Sequence, residues 1–297
     1  MPNVHVVHTT EYRYHSPVVL MQHRLMLRPR DSHDLGLFDA TLSITPAPAQ
    51  TRWAHDVFSN SVALVSFSDV PTRLLRIVSE LDLEHYPTRL DLPVDPRAEN
   101  YPFSYAPEEL PDLAQMIATY RSDPDTGVQE WARSFLSRSG STPTLDLLVA
   151  MTDAIRADFV YEARADEGTN LPSLTLATRR GACRDFALLM MEAARSLGLA
   201  ARFISGYLYN EAHGPDRLVG GGATHAWCAV YLPGAGWVEF DPTNGLIAGR
   251  NLIRVAAART PGQALPVAGR FIGTQSAFAN LDVSVRVTVG TRPKLAA

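Results

Sequence analysis

The stretch GACRDFALLMMEAARSLG, residues 181–198, predicts a helix that begins at a cysteine. Its apolar side chains recur at three- and four-residue spacing, as they do on the buried face of a helix. These are Phe186, Leu189, Met190, Ala193, Ala194 and Leu197. Gly198 provides a favourable stop, because glycine readily adopts the left-handed conformation that ends many helices. Cys183 is thereby placed in the first turn, just after Gly181.

The position of Cys183 favours a reactive thiol. A helix start presents unpaired N–H groups and the positive end of the helix dipole, which stabilise a thiolate. Arg179, Arg180 and Arg184 add positive charge nearby, so we expect the thiolate to be populated at neutral pH. An isolated cysteine is more often a buried and inert residue, and position alone leaves both interpretations open. Asp185 is expected to hold the helix start, with or without a further role.

Three β-prone segments follow the helix. They are residues 201–209, 223–232 and 236–241. If Leu232 pairs with Gly236 across a three-residue loop, Trp227 lies opposite Asp241. His225 is then diagonal to Asp241 on the same face and within side-chain reach. A two-residue loop would put the two side chains on opposite faces, so the pairing requires an odd loop or a bulge.

Cys183, His225 and Asp241 together have the functional groups of a thiol enzyme. An aspartate that accepts from one imidazole nitrogen fixes the tautomer, and the other nitrogen is left to face the sulfur. Such an arrangement suits acyl transfer through a thioester. Trp227 and Trp237 either wall the cleft or pack in the core, and large aromatic side chains favour the core. Cys228 alternates away from His225, which predicts a core position.

Four motifs around these residues closely resemble the transglutaminase-like superfamily. They are GACRDFA (181–187), ARFISGYL (201–208), HAW (225–227) and GWVEFDPTNG (236–245). They are most similar to its bacterial branch, whose members are described as transglutaminase-like cysteine proteases, and the resemblance extends to that branch's N-terminal β region. By this resemblance Cys183 is the nucleophile, His225 the base and Asp241 the orienting carboxylate. Gln often follows the cysteine in that branch, where Arg184 stands here.

The resemblance implies an α+β fold with a papain-like core, in which the cysteine helix packs on an antiparallel sheet. We expect three parts: a β-rich N-terminal domain (1–105), a transglutaminase-like core (106–250) and a C-terminal tail (251–297). The implied activity is cleavage or transfer of an amide acyl group, with peptidase or amidase action favoured. Cross-linking by acyl transfer from protein glutamine to an amine is the alternative.

Local patterns predict the remaining elements. Short β-prone runs occur at 4–7, 41–44 and 62–67, and helical patterns occur at 113–120, 128–136 and 145–159. Prolines crowd between residues 87 and 111, which is typical of a connector. The glycine run 220–222 predicts a turn. The segment LDVSVRVTV (281–289) alternates cleanly and should be a strand that returns to the N-terminal domain, since an isolated strand cannot bury its apolar face.

Composition excludes several partners. A net charge of −4 over 297 residues gives no basic footprint for nucleic acid. The apolar runs are too short to cross a membrane, and the first residues lack the apolar core of a signal peptide. Two cysteines make no disulfide framework, so a reducing, cytoplasmic setting is expected. The expected partner is a peptide or protein amide substrate, without a cofactor, and the sequence does not indicate an oligomeric state.

Two other functions compete with the enzyme. A non-catalytic peptide-binding scaffold could keep the same fold, although superfamily members of that kind usually lose one of the three site residues. A metal site could use Cys183, His225 and Asp241, which are types that bind zinc. The chain has no short-spaced ligand pair such as C-x-x-C, which disfavours the metal.

Overall fold

Long strands with alternating burial build the N-terminal region. In the computed structural model, these strands are β1 (Asn3–Leu20), β2 (His23–Leu25), β3 (Leu35–Thr45), β4 (Gln50–His55), β5 (Ser61–Ser66) and β6 (Thr72–His85). The structure describes residues 3–86, 92–120, 126–138, 140–164, 167–210, 218–249 and 251–290. β1, β6 and β3 pair antiparallel in one sheet, and β2, β5 and β4 pair antiparallel in a second. Buried and half-buried side chains alternate along β1, with the two-residue period of a strand.

The middle of the chain carries five α-helices within the described residues. Its elements are β7 (Asn100–Tyr101), α1 (Leu110–Ile117), α2 (Gly127–Arg133), β8 (Thr142–Pro143), α3 (Thr144–Asp158), β9 (Val160–Tyr161), α4 (Pro172–Thr178), β10 (Arg180–Gly181), α5 (Cys183–Ser196), β11 (Ala201–Leu208), β12 (His225–Leu232) and β13 (Gly236–Asp241). The four helices expected from periodicity are confirmed, with ends that differ by a few residues. The two-turn helix α4 is too short to give a periodic pattern and was not predicted.

β11, β12 and β13 form the centre of an antiparallel sheet, as predicted. Leu232 pairs with Gly236 across a three-residue turn, which sets the register of the β12–β13 hairpin. The remaining elements are β14 (Leu246–Ile247), β15 (Leu252–Ala258), a 3-10 helix (Pro261–Ala264), β16 (Val267–Ala268), β17 (Phe271–Ile272), a 3-10 helix (Gln275–Ala277) and β18 (Phe278–Gly290). The strand order of the core sheet is β14-β13-β12-β11-β15.

The C-terminal segment joins both parts of the molecule. β15 lies beside β11, so the core sheet extends past the boundary expected at residue 250. β16 pairs with β2, and β17 pairs with β1. β18 pairs antiparallel with β1 along almost its whole length, from Asn3 opposite Gly290, which is the return predicted for the strand at 281–289.

Helix α5 packs on the core sheet and is buried over most of its length. Ala187, Met190 and Met191 of α5 share one apolar cluster with alternate residues of β12, among them Cys228 and Val230. The side chains at the other β12 positions therefore face the opposite side of the sheet. This packing fixes the start of α5 close to the start of β12.

Some expectations fall outside the described residues. Residues 87–91 of the predicted connector are among them. Within the described part of the chain, no helix is long and apolar enough to span a membrane.

Candidate active site

Cys183 is the first residue of α5, as predicted. A β-carbon at Gly181 would lie 2.9 Å from the β-carbon of Asp185, so glycine lets the chain pass close over the first turn. The Asp185 carboxylate accepts a hydrogen bond from the Ala182 N–H at 2.9 Å and holds the helix start. Cys183 itself is 9% exposed, which leaves its thiol at the edge of the core.

Arg184 and Asp185 also tie the segment before α5 to the helix. Asp185 accepts from Arg164 Nη2 at 3.0 Å and from the Asn170 N–H at 2.7 Å. Arg184 donates to the Gly168 carbonyl at 2.6 Å and to the Arg164 carbonyl at 3.1 Å. Both residues therefore position the chain around the cysteine.

Arg179 and Arg180, which were expected to add positive charge near Cys183, are both paired with carboxylates. Arg179 lies 3.7 Å from Asp158, and Arg180 pairs with Glu162. These arginines are close to Cys183 in the chain, but a carboxylate just after β9 and one at the end of α3 compensate their charge. The start of α5 and His225 are groups that lie directly at Cys183.

His225 and Asp241 form a buried pair. His225 Nε2 lies 2.8 Å from Asp241 Oδ2, and both side chains are fully shielded from solvent. The Asp241 carboxylate also accepts from the Thr243 N–H at 2.9 Å and from Asn244 Nδ2 at 2.8 Å. Because three donors hold the carboxylate, its position and that of the imidazole are fixed.

The surroundings of His225 favour its protonated form. Burial alone would lower its pKa, but Asp241 and Cys183 raise the pKa of His225 to about 10. Burial likewise opposes the charge on Asp241, and the His225 imidazolium with the donors above lowers the pKa of that carboxyl. The buried Nδ1 of His225 makes no regular hydrogen bond within the described residues. The thiol and this nitrogen are thus adjacent but loosely engaged, and such contacts often tighten only in the reacting complex.

Two residues that were not predicted from the sequence, Tyr161 and Gly220, also lie beside His225. A β-carbon on Gly220 would lie 3.0 Å from His225 Nδ1 and 3.8 Å from the Tyr161 hydroxyl, so all three meet around one point. Tyr161 pairs with Gly181 through β9 and β10. Burial raises the pKa of Tyr161, and Cys183 adds to the rise. A phenol that donates a hydrogen bond therefore faces the thiol region.

The two tryptophans differ in their relation to the site. Trp227 is fully buried and stacks on the His225 ring, with centroids 5.9 Å apart. Trp237 lies farther along the hairpin, against Tyr231 and Arg202, and does not wall the thiol site. Cys228 is buried in the core as predicted, and burial raises the pKa of its thiol far above the ordinary value. No metal-binding cluster of three or more His, Cys, Asp or Glu residues occurs among the described residues.

Comparison with known proteins shows the family of this chain. Residues 4–84 match the bacterial transglutaminase-like N-terminal region, and residues 129–242 match the transglutaminase-like superfamily core. Rv2569c, an uncharacterized protein of Mycobacterium tuberculosis, is 32% identical over 291 residues, which cover 95% of this chain and 91% of that protein. The chain belongs to the transglutaminase-like superfamily. The protein YebA of Bacillus subtilis is 39% identical to this transglutaminase-like protein over 74 residues, or 23% of this chain and 10% of YebA.

A solved structure shares the fold of this transglutaminase-like protein. It is the crystal structure of a candidate cysteine protease from Cytophaga hutchinsonii, with a TM-score of 0.67 and 18% sequence identity. The match covers 100% of this chain and 95% of that one. The two-part architecture, with a β-rich N-terminal region before the core, is therefore shared over the whole length.

Proposed function

We propose that this protein is a thiol enzyme that breaks an amide bond by acyl transfer to Cys183. The observation that carries the proposal is the fully buried His225, which has the Asp241 carboxylate at 2.8 Å on one ring nitrogen and the helix-start Cys183 beside the ring. A buried histidine without such partners would be neutral, because burial disfavours its charged form. The Asp241 carboxylate and Cys183 overcome this effect of burial and keep the imidazole protonated.

The proposed reaction has two steps. In the first, the Cys183 sulfur attacks the amide carbonyl as the thiolate, whose proton the His225 imidazolium holds on Nδ1. The carbon–nitrogen bond breaks, the leaving amine takes the proton from His225, and a thioester remains on Cys183. In the second, water or an amine gives its proton to His225 and attacks the thioester, and the thiolate leaves as the carboxylic acid or new amide is released.

Asp241 and Tyr161 have separate tasks in this scheme. Asp241 stabilises the His225 imidazolium and, once Nδ1 has given its proton to the leaving amine, keeps the remaining proton on Nε2, so that Nδ1 can accept from the attacking water or amine. The Tyr161 hydroxyl and the N–H groups at the start of α5, which have no partner within the helix, are donors for the oxyanion of the tetrahedral intermediate. The substrate is a peptide or protein amide, and we favour hydrolysis because water needs no acceptor site of its own.

Acyl-enzyme trapping tests the proposal without knowledge of the natural substrate. We expect p-nitrophenyl acetate to add one acetyl group to Cys183, seen by intact-mass and peptide mass spectrometry. Cys228→Ala should acylate normally, and Cys183→Ala should not acylate at all. Putrescine added to the same reaction separates the two outcomes of the thioester, because an acetylated amine forms only if an amine can replace water. A protein whose acylation does not depend on Cys183 would be a binding scaffold rather than this enzyme.

A further inference from the structure

A cavity of about 470 Å³ lies between the N-terminal region and the core sheet. Residues 30–35 and 58–60 form its outer wall, and strands β11, β13 and β15 contribute the inner wall. Cys183, His225 and Asp241 are not among the residues that line it. The cavity is therefore separate from the site at the start of α5.

One of the two arginines on the inner wall is fully compensated. Arg254 donates to Glu239 and to both carboxylate oxygens of Asp34, at 3.2 and 3.0 Å. This bridge joins the core sheet to the N-terminal region. It also occupies two of the three carboxylates that line the cavity, and the third is Asp31.

The second arginine, Arg202, has no such partner. Its guanidinium stacks on Trp237, with the central carbon 4.3 Å from the ring centroid. Its Nε atom is buried and makes no hydrogen bond within the described residues, and no ion pair joins Arg202 to a carboxylate there. Burial, with some help from Arg254, lowers the pKa of Arg202 to about 10, so the side chain still carries its charge at neutral pH.

An arginine in this state is suited to receive an anion. A guanidinium offers five N–H donors in a rigid plane, and leaving the buried Nε–H of Arg202 unpaired costs free energy. Stacking on an indole leaves the edge of that plane free for a bidentate partner, and carboxylates match this geometry. Since Asp31, Asp34 and Glu239 line the same cavity, a singly charged ligand fits better than a phosphate dianion.

The rest of the cavity defines the body of the ligand. About half of the lining residues are apolar, among them Leu35, Phe58, Leu252 and Val255, and the others are polar or charged, among them Arg30, His33 and His85. A volume of about 470 Å³ is within the range of small-molecule sites. We propose that this cavity binds a small monocarboxylate with a partly apolar body, whose carboxylate pairs with Arg202. The site does not depend on the proposed acyl-transfer activity.

Matched probes test the site. Benzoate, 3-phenylpropionate and N-acetylphenylalanine, each compared with its neutral amide, would be titrated by calorimetry and by ligand-observed NMR. The Cys183→Ala variant is the host protein, so that the thiol cannot consume a probe. We expect carboxylates to bind and their amides not to bind, and Arg202→Met to weaken binding at least about tenfold. Arg52→Met, an exposed arginine outside the cavity, is the matched control.

Stability without a ligand is the second readout. Met has a similar length and no charge, so Arg202→Met should leave the Tm unchanged or raise it, because an unpaired buried charge is removed. A lowered Tm together with unchanged probe binding would overturn the proposal, and so would equal binding of acids and amides. If Arg202→Met does not fold, Arg202→Lys is the variant that tests the site. Lysine keeps the positive charge but lacks the planar guanidinium. Carboxylate binding to Arg202→Lys as tight as to the host protein would therefore contradict the proposal.

Discussion

Replacing Asp241 by Asn should remove most of what keeps His225 protonated. A rise in the pKa of His225 from 6.5 to about 10 corresponds to roughly 5 kcal/mol in favour of the imidazolium. Burial opposes this, and Asp241 is the first of the groups that overcome it, ahead of Cys183. We therefore expect Asp241→Asn to bring the pKa of His225 below its ordinary value and to cost about 3–5 kcal/mol of stability near neutral pH.

The pH dependence follows from the two shifts. The stabilisation from the raised pKa of His225 is fully present below 6.5 and is lost as the pH rises through about 10. The stabilisation from the lowered pKa of Asp241 is present above 3.8 and is lost as the pH falls below that value. The difference in unfolding free energy between wild type and Asp241→Asn should thus be largest between these limits and shrink in strong alkali.

Two measurements check this. Urea unfolding at several pH values gives the difference in stability, and NMR of histidine-labelled protein gives the His225 titration, assigned with His225→Gln. Asp82→Asn is the matched control, because His5 and Asp82 have the same 2.8 Å separation but lie exposed. That variant should change stability by less than about 1 kcal/mol. An Asp241→Asn protein as stable as the control, with an unchanged His225 titration, would refute the reasoning.

Three further variants probe the surroundings of the thiol. Tyr161→Phe removes one oxyanion donor and should slow turnover of p-nitrophenyl acetate about 100-fold while alkylation by iodoacetamide keeps its rate; equal losses in both would contradict a donor role. Asp185→Asn weakens the contacts at the start of α5 and should lower stability by about 3 kcal/mol in urea unfolding. Gly220→Ala places a β-carbon 3.0 Å from His225 Nδ1 at a φ of +91°, and should reduce both turnover and alkylation of Cys183, measured in the same two assays; unchanged rates would exclude Gly220 from the site.

Patterns local in sequence predicted most of the site. The periodicity from Phe186 to Leu197 located α5, and a cysteine at its first residue followed from that boundary. The three-residue turn before Gly236 fixed the register of the hairpin, and with it the shared face of His225 and Asp241. In both cases neighbouring residues determine the geometry, so an argument from spacing succeeds.

Features that depend on distant segments were not predicted. Tyr161 reaches the thiol through a parallel pairing of two short strands, β9 and β10, that carries no sequence signal. Gly220 looked like an ordinary turn residue, and only its contact with His225 gives it a role. Arg202 is a polar residue between apolar neighbours on β11, a pattern that is typical of an exposed face. In the structure the N-terminal region covers this face, and the cavity lies between the two.

The reactivity of Cys183 tests the central claim most directly. The measurement is the rate of alkylation by iodoacetamide at neutral pH, followed separately at Cys183 and Cys228 by peptide mass spectrometry, with a model thiol of pKa about 8.5 in the same tube. We predict that Cys183 reacts faster than the model thiol, that His225→Ala slows it and shifts its pH profile upward, and that buried Cys228 stays unmodified. A Cys183 that reacts no faster than the model thiol, or only after unfolding, would show that it is a structural residue.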